Sequence, residues 1–312
     1  MSFGANMRIV FLGNNDFSTT VLDALVNSQH QVVGVVCSLD KPTGRGQRLE
    51  MCAVKKYALA HNIPVLQYKS VSREGESDVR ALNPDVLVTA SFGQMLRENI
   101  LTLAPHGVIN VHGSLLPALR GATPVQTALF LGLDHTGVTI MQTDIGMDTG
   151  DILCQREIPI FDTDTSAELF DRMAKVGAEC LITVLNDLNH YVTARRKQDD
   201  SKATTTSLIK DSKIDFTLPN DQIVNFIRGN YPYSTAYCTF RGDKFKVGFA
   251  KTVDSDRHGN AGEIVNANKF GLIVACGKGY VEFVRVQPAN KKMMSARDFI
   301  NGAHIEIGEK FE

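Results

Sequence analysis

The sequence predicts an α/β protein in which a doubly wound, mostly parallel sheet is followed by a small antiparallel β-barrel. Short apolar runs alternate with amphipathic helical stretches in the first half of the 312 residues, and this alternation is typical of parallel sheets with crossover helices. The last third instead shows short strands separated by tight turns, as small barrels do. A polar segment, 193–207, lies between them and indicates a linker. We therefore expect domains at 1–192 and 208–312.

The first domain is predicted from the spacing of its apolar residues. Helical spacing predicts helices at 19–28 and 53–62. A longer helix should begin after Thr165 and close the domain, because Thr165 and Glu168 form a capping box. Continuous apolar runs predict strands at 7–13, 31–37, 63–66, 85–90, 107–112 and 137–142, and we expect all of them to form one parallel series.

The second domain should begin with a short helix at 221–228. Strands at 235–240 and 244–249 follow, and the tripeptide Arg241-Gly-Asp243 between them is a tight hairpin signal. Three further runs, EIVNAN, LIVAC and YVEFVRV, complete the predicted barrel.

Charge gives a mixed indication of partners. The chain has 33 Lys and Arg against 34 Asp and Glu, a net charge of −1 that argues against a broadly basic nucleic-acid binder. The balance is uneven, with 18 basic and 22 acidic residues in 1–206 but 15 and 12 in 207–312. A basic C-terminal part would suit a polyanion, although ordinary variation in surface charge explains the same count.

Other features restrict location and metal chemistry. No apolar run approaches the length of about eighteen residues that a membrane span requires. The first residues, MSFGANMRIVFLG, lack the features of a secretory signal. The six cysteines lie far apart, and no Cys/His cluster has zinc spacing. We expect reduced thiols, a cytoplasmic location, no membrane partner and no metal.

Polar side chains end the predicted strand at 107–112. Asn110 and His112 are two residues apart and therefore project from the same face. In open α/β sheets ligands bind beyond the carboxyl ends of the strands, where an amide can stabilise an oxyanion and a histidine can exchange protons. The next strand runs into a turn-rich loop that carries Asp148 and Asp151, and a carboxylate there could orient the imidazole. A hydrogen-bonded strand cap and an ordinary Asp turn remain open as alternatives.

Two loops after other strands could bind ligands. The loop at 39–49 could contact phosphate through Lys41, Arg45 and Arg48, although a solvated loop is the simpler interpretation. Phe92 and Gly93 follow the strand at 85–90, where a ring and bare backbone would suit a flat heterocycle, unless Phe92 belongs to the core. The single glycine in FLGNNDF does not match the three of a dinucleotide-binding fingerprint.

The stretch NVHGSLLPALRGATPVQ followed by GVTIMQTDIGMDTGDIL resembles the formyltransferase family that uses 10-formyltetrahydrofolate, and within it the branch that acts on methionyl initiator tRNA. The similarity extends over nearly the whole chain, including DKPTGRGQRL, SLIKDSKIDF and QPANKKMMSARDFINGA. It implies a Rossmann-like formyltransferase domain and an OB-like C-terminal domain. One departure lies at 118–121, where Ala-Leu-Arg-Gly replaces the Arg-Trp-Arg-Gly that the family usually shows; the chain has no Trp.

The resemblance also implies roles for individual residues. Asn110, His112 and Asp148 match the family's catalytic trio. Positions that match the folate pocket and the signature segment beside the trio are Phe92, Gly93, Met95, Leu96, Ser114, Leu115, Leu116, Pro117 and Asp144. Positions implied to contact tRNA are Lys41, Arg45, Arg48 and Arg120.

Transfer of the formyl group of 10-formyltetrahydrofolate to the α-amino group of methionyl initiator tRNA, for translation initiation, is the implied activity. The co-substrate would be the folate, and the resemblance implies a monomer. Alternatives are 10-formyltetrahydrofolate hydrolysis, formylation of a sugar-nucleotide amine, and tRNA binding without catalysis. The C-terminal domain and the 41–49 loop favour tRNA, since both suit a long polyanion.

Overall fold

The computed structural model describes residues 6–43 and 48–312. Their contacts divide the chain into two compact units. The first unit lies within Met1–Pro124, His135–Pro159 and Phe170–Ser207, and the second comprises Val125–Asp134, Ile160–Leu169 and Leu208–Glu312. This division groups residues 193–207 with the first unit; the domain boundaries drawn from the sequence stay a prediction.

The main sheet of the first unit is mostly parallel, with strand order β10-β9-β7-β6-β1-β2-β5. Strands β1, β2, β5, β6 and β7 run parallel, whereas β9 and β10 are antiparallel to their neighbours. The strands are β1 (Arg8–Gly13), β2 (Gln31–Cys37), β3 (Lys41–Thr43), β4 (Arg48–Glu50), β5 (Val65–Gln67), β6 (Val86–Ala90), β7 (Val108–His112), β8 (Arg120–Gly121), β9 (His135–Gln142), β10 (Ile152–Pro159) and β11 (Thr205–Thr206).

Helices cover this sheet, and their ends follow from local sequence. Asn15 caps α1, since its side chain accepts a hydrogen bond from Ser18 N. The capping box before α7 is confirmed, because Glu168 Oε2 accepts from Thr165 N. The helices are α1 (Asp16–Val26), α2 (Ala53–Ala60), α3 (Val71–Glu74), α4 (Glu76–Ala81), α5 (Glu98–Leu101), α6 (Pro124–Phe130), α7 (Ser166–Asn186) and α8 (Leu188–Thr193).

The predicted mostly parallel, doubly wound sheet is confirmed, but the direction expected for β9 is wrong. We expected the strand at 137–142 to continue the parallel series, and it runs antiparallel to β7, with Ile109 opposite Gln142 and His112 opposite Thr139. β9 is buried on both faces and therefore shows the continuous apolar run typical of parallel strands, although it is an antiparallel strand of a mixed sheet. The loop after β9 therefore starts at the opposite end of β7 from His112.

The second unit is built on a curled antiparallel sheet, as the predicted small barrel requires. Its strand order is β12-β13-β16-β15-β14, and β17 pairs with β16. Arg241 and Gly242 both have positive φ, which is the geometry of the predicted two-residue hairpin between β12 and β13. The elements are α9 (Asn220–Asn230), β12 (Tyr237–Phe240), β13 (Asp243–Val253), β14 (Ile264–Asn268), β15 (Gly271–Ala275), β16 (Tyr280–Gln287), β17 (Met294–Ser295) and α10 (Ala296–Ala303).

Phenylalanine rings form the centre of the second unit's core. Phe311, next to the C-terminus, is fully buried, and its ring centroid lies 4.8 Å from Phe240, 5.0 Å from Phe245 and 5.3 Å from Phe283. The chain end is therefore part of the core. Across residues 6–43 and 48–312, no helix is long and apolar enough to cross a membrane.

We predict that Phe311→Ala lowers the free energy of unfolding of the second unit by about 3–5 kcal/mol, the usual cost of removing a buried Phe side chain. Urea unfolding followed by circular dichroism measures this change. Phe270→Ala is the matched control, because Phe270 is 73% exposed and its loss should change stability by less than about 0.5 kcal/mol. Equal effects of the two substitutions would contradict the assignment of Phe311 to the core.

Candidate active site

Two polar side chains lie at the carboxyl end of β7. Asn110 is the third residue of this strand and His112 is the last. Thr89 lies opposite Asn110 on β6, and its hydroxyl donates to Asn110 Oδ1 at 2.9 Å. Because the amide oxygen accepts this bond, the amide presents its NH₂ group as a donor. A donor oriented in this way suits an oxygen that develops negative charge.

The imidazole of His112 lies between two oxygens. Its Nε2 is 3.1 Å from the carbonyl oxygen of Leu119, and its Nδ1 is 3.6 Å from Asp148 Oδ2. The second distance is too long for a hydrogen bond, so Asp148 acts on the ring as a nearby negative charge. His112 is only 6% exposed, so the ring lies buried between the Leu119 carbonyl and the Asp148 carboxylate.

The loop that carries Asp148 begins at the end of β7 opposite to His112. The loop that carries it, residues 143–151, is closed at its base by hydrogen bonds from Gln142 N to Asp151 O and from Thr143 N to Val108 O. Val108 is the first residue of β7 and His112 the last, which places them about 13 Å apart along an extended strand. The loop therefore has to return along β7 to bring the carboxylate to the ring.

Local geometry holds Asp148 in place. Its Oδ2 accepts from Gly121 N at 2.7 Å, and its backbone has a left-handed φ of 54°. Asp144 shapes the same loop, since its Oδ1 accepts from Gly146 N at 3.0 Å and from Thr149 Oγ1 at 2.6 Å. Asp148 thus faces His112, whereas Asp144 is exposed and bonded within the loop.

The signature segment at 114–117 is anchored by hydrogen bonds to its neighbours. Ser114 is 1% exposed, and its hydroxyl donates to Ala118 O at 2.6 Å. Thr139 Oγ1 donates to Ser114 O and accepts from Leu116 N. Ser114 and Leu116 are therefore buried supports of the loop, while Leu115 and Pro117 are half-buried. Their role as folate contacts stays a prediction.

The residues after β6 divide between core and surface. Phe92 and Leu96 belong to a hydrophobic core cluster of the first unit, which agrees with the alternative that Phe92 is a core residue. Gly93 is exposed with φ 77°, and Met95 is 58% exposed. Only Gly93 and Met95 of these four offer surface to a ligand here, and the pocket assignment stays a prediction.

The positions implied to contact tRNA differ in their surroundings. Lys41 is exposed on β3, which pairs with β4, the strand that begins at Arg48. Arg45 lies outside the described residues. Arg120 differs from the expectation of a surface contact: it is 8% exposed, and its guanidinium donates to Gln198 Oε1 and Asp200 Oδ1. A tRNA contact through the Arg120 side chain would require these bonds to break.

Family comparisons agree with this geometry. A family model described as formyl transferase matches residues 7–185, and one described as the formyl transferase C-terminal domain matches residues 209–304. The chain belongs to the formyl transferase family. It is a formyl-transferring enzyme, with a Rossmann-like first unit and an antiparallel second unit.

Curated relatives of this formyl transferase match along nearly all of their length. A methionyl-tRNA formyltransferase of Bacillus licheniformis is 41% identical over 97% of this chain and 97% of its own. A methionyl-tRNA formyltransferase of a Sulfurihydrogenibium species is 39% identical over 98% of this chain and 100% of its own.

Solved structures show the same fold at lower identity. WlaRD, a sugar 3N-formyl transferase crystallised with dTDP and 5-N-formyl-THF, is 19% identical with a TM-score of 0.66, over 93% of this chain and 100% of its own. HypX from Aquifex aeolicus, solved with tetrahydrofolic acid, is 13% identical with a TM-score of 0.66 over 95% of this chain. This formyl transferase spans about half of HypX, 47% of that chain.

Sequence reasoning missed several supports of the site. Thr89 could have been found from strand register, because it lies one residue before the end of a neighbouring strand, opposite Asn110. Gly121 holds Asp148 through its backbone N–H, and a backbone donor leaves no residue-type signal. Gln198 bonds to the Asp148 carbonyl from fifty residues away in a segment that we interpreted as a linker. Among the described residues, no group of His, Cys, Asp and Glu could hold a metal ion.

We predict that Gly121→Ala disrupts the site of this formyl transferase. Gly121 has φ 107°, which favours glycine, and a Cβ there would lie 2.6 Å from Thr206 O. The turn must shift and withdraw its N–H from Asp148, so the rate of formyl transfer should fall at least about tenfold.

Gly302→Ala on α10 is the matched control, because a Cβ there meets no atom within 4 Å and alanine favours a helix. Steady-state kinetics and thermal unfolding of both variants make the comparison. Wild-type turnover of Gly121→Ala would refute the role given to this turn.

Proposed function

We propose that this formyl transferase moves the formyl group of 10-formyltetrahydrofolate to the α-amino group of methionine on initiator tRNA. The observation that carries the proposal is identity of about 40%, over nearly the full length, to enzymes named methionyl-tRNA formyltransferase. The Asn110, His112 and Asp148 arrangement supports acyl transfer, since it combines an oriented amide donor with a buried imidazole beside a carboxylate.

The residues of the site have distinct parts in the proposed reaction. The Asn110 amide donates to the oxygen of the formyl group as the amine attacks the formyl carbon, which stabilises the tetrahedral oxyanion. A bond from this carbon to the α-nitrogen forms, its bond to N10 of the folate breaks, and one proton leaves the α-nitrogen while N10 gains one. His112 faces an oxygen at each ring nitrogen, and these contacts hold its ring in one orientation beside Asn110.

The partners follow from the same proposal. The exposed Lys41, with Arg45 and Arg48, would contact the tRNA, and residues 208–312 would form the OB-like tRNA-binding domain. The enzyme would act as a cytoplasmic monomer without a metal. Residues 92–96, 114–117 and 144–148 would contribute to the folate pocket.

A transfer assay with formyl-labelled 10-formyltetrahydrofolate tests the acceptor. Four reactions are compared: methionyl initiator tRNA, uncharged tRNA, a sugar-nucleotide amine, and buffer alone. We expect label on the methionyl-tRNA only. Free formate released equally in all four would indicate a hydrolase, label on the sugar amine would indicate a different acceptor, and tRNA binding without turnover would indicate a binding protein; each of these results refutes the proposal.

We further predict that His112→Ala and Asp148→Ala each lower kcat by about 100- to 1000-fold, a loss typical of removing one electrostatic contribution to acyl transfer, because Asp148 acts through the His112 ring. The dissociation constant for methionyl-tRNA, measured by filter binding, should change less than about threefold, because neither side chain is proposed to contact tRNA. His61→Ala is the control, since His61 is exposed on another element. Near-normal kcat in both variants would refute the catalytic assignment.

A further inference from the structure

The polar segment 196–207 is hydrogen-bonded at several points to residues around the candidate site. Arg196 forms a β-bridge with Ile152. At the other end of the segment, β11 pairs with β8, with Thr205 opposite Arg120 and Thr206 opposite Gly121. The segment thus follows the Asp148 loop first and the Leu119–Gly121 turn second. These contacts lie within the first unit.

Gln198 makes the most contacts to the site within this segment. It is half-buried between exposed neighbours. Its Nε2 donates to Asp148 O at 2.8 Å and to Gly150 O at 2.7 Å. Its Oε1 accepts from Arg120 Nε at 3.0 Å and from Arg120 Nη2 at 2.8 Å. Both N–H groups and the carbonyl oxygen of this amide are therefore hydrogen-bonded.

The same segment also holds the residue on the other side of His112. Leu119, whose carbonyl faces His112 Nε2, donates from its backbone N to Thr204 Oγ1 at 2.8 Å. Arg120 N donates to Thr204 O at 2.8 Å. The two residues that supply oxygens to the His112 ring, Asp148 and Leu119, are thus both hydrogen-bonded to residues of 198–204.

We propose that Gln198 is a positioning residue that holds Asp148 at its working distance from His112, with Arg120 as the support that orients the Gln198 amide. Asp148 has a left-handed backbone, a conformation that a non-glycine residue keeps only where its surroundings hold it there. Gln198 supplies two donors at that point, on Asp148 itself and on Gly150. The inference rests on the proposed function for its kinetic consequence, although the geometric claim stands without it.

This assignment gives Arg120 a structural reason to be buried. Its guanidinium donates twice to one oxygen of Gln198 and once to Asp200, which is 82% exposed. Exposed ion pairs contribute little, so the bonds to Gln198 carry the arrangement. These bonds hold Gln198 Oε1 toward Arg120. The Nε2 group of the same amide therefore faces the carbonyl oxygens of Asp148 and Gly150.

The test compares Gln198→Ala and Gln198→Glu with the control Ser201→Ala. Ser201 lies three residues further along the same segment, is exposed, and its hydroxyl bonds to Asp199 within its own turn. Gln198→Glu keeps the size and the acceptor for Arg120 but replaces the two donors with a carboxylate that faces two carbonyl oxygens.

We expect both Gln198 variants to lower kcat about 10- to 100-fold, because a displacement on the order of 1 Å at a catalytic group has effects of this size. The KM values for folate and for methionyl-tRNA should change less than about twofold, and Ser201→Ala should match the wild type. Wild-type kcat in Gln198→Glu would overturn the proposal, because it would show that the donors to Asp148 and Gly150 are dispensable. Equal loss of kcat in Ser201→Ala would overturn it as well.

A second readout separates positioning from activity and from folding. The imidazole resonances of His112, recorded by NMR without substrates, should shift in both Gln198 variants and stay unchanged in Ser201→Ala, while the thermal unfolding midpoint stays near the wild type. Unshifted resonances would overturn the proposal. A wild-type enzyme that does not formylate methionyl-tRNA would refute the proposed function and leave this spectroscopic test valid.

Discussion

The candidate site depends on the position of the Asp148 carboxylate beside the buried imidazole of His112. No strand ends at Asp148, so the loop that carries it must be held in place by other contacts. Asp148 sits on a loop whose base lies at the other end of β7, and its hydrogen bond from Gly121 N at 2.7 Å ties the loop to the turn after His112. That bond requires Gly121 in a backbone conformation that favours glycine, with Thr206 O in the space of a side chain. Strand β7, the turn, the loop and β11 therefore form one connected structure.

Local chemistry made part of this site predictable. Asn110 and His112 interrupt an apolar strand, and the two-residue period of a strand places them on one face. The structure places Asp148 Oδ2 3.6 Å from His112 Nδ1, but its loop starts at the other end of β7 because β9 runs antiparallel to β7. Strand direction depends on how the connecting segment enters the sheet, and a strand that is buried on both faces, as β9 is, shows a continuous apolar run whichever way it runs.

In the second unit, too, a local turn could be predicted from the sequence, whereas a long-range packing contact could not. The hairpin at Arg241 and Gly242 was predictable, because two successive left-handed residues are a local requirement of the turn. The position of Phe311 was not, since its β-bridge to Phe240 joins positions about seventy residues apart. The chain has no Trp, and the Phe rings at the centre of this core come from positions that strand pairing brings together.

The segment at 193–207, which we predicted to be a linker, makes hydrogen bonds to other parts of the first unit. A linker and a polar support have the same composition, because both lack apolar side chains to bury. A linker and a polar support differ in whether their polar groups form hydrogen bonds within the protein. Gln198 and Thr204 form such bonds to backbone groups and to Arg120, which lie about fifty to eighty residues earlier in the chain. Arg120 fits the same explanation: its type suggests a phosphate ligand, but the amide of Gln198 gives it an internal acceptor. The side chains that support the site bind backbone carbonyl and N–H groups. They are polar because an apolar segment could not form hydrogen bonds with these groups.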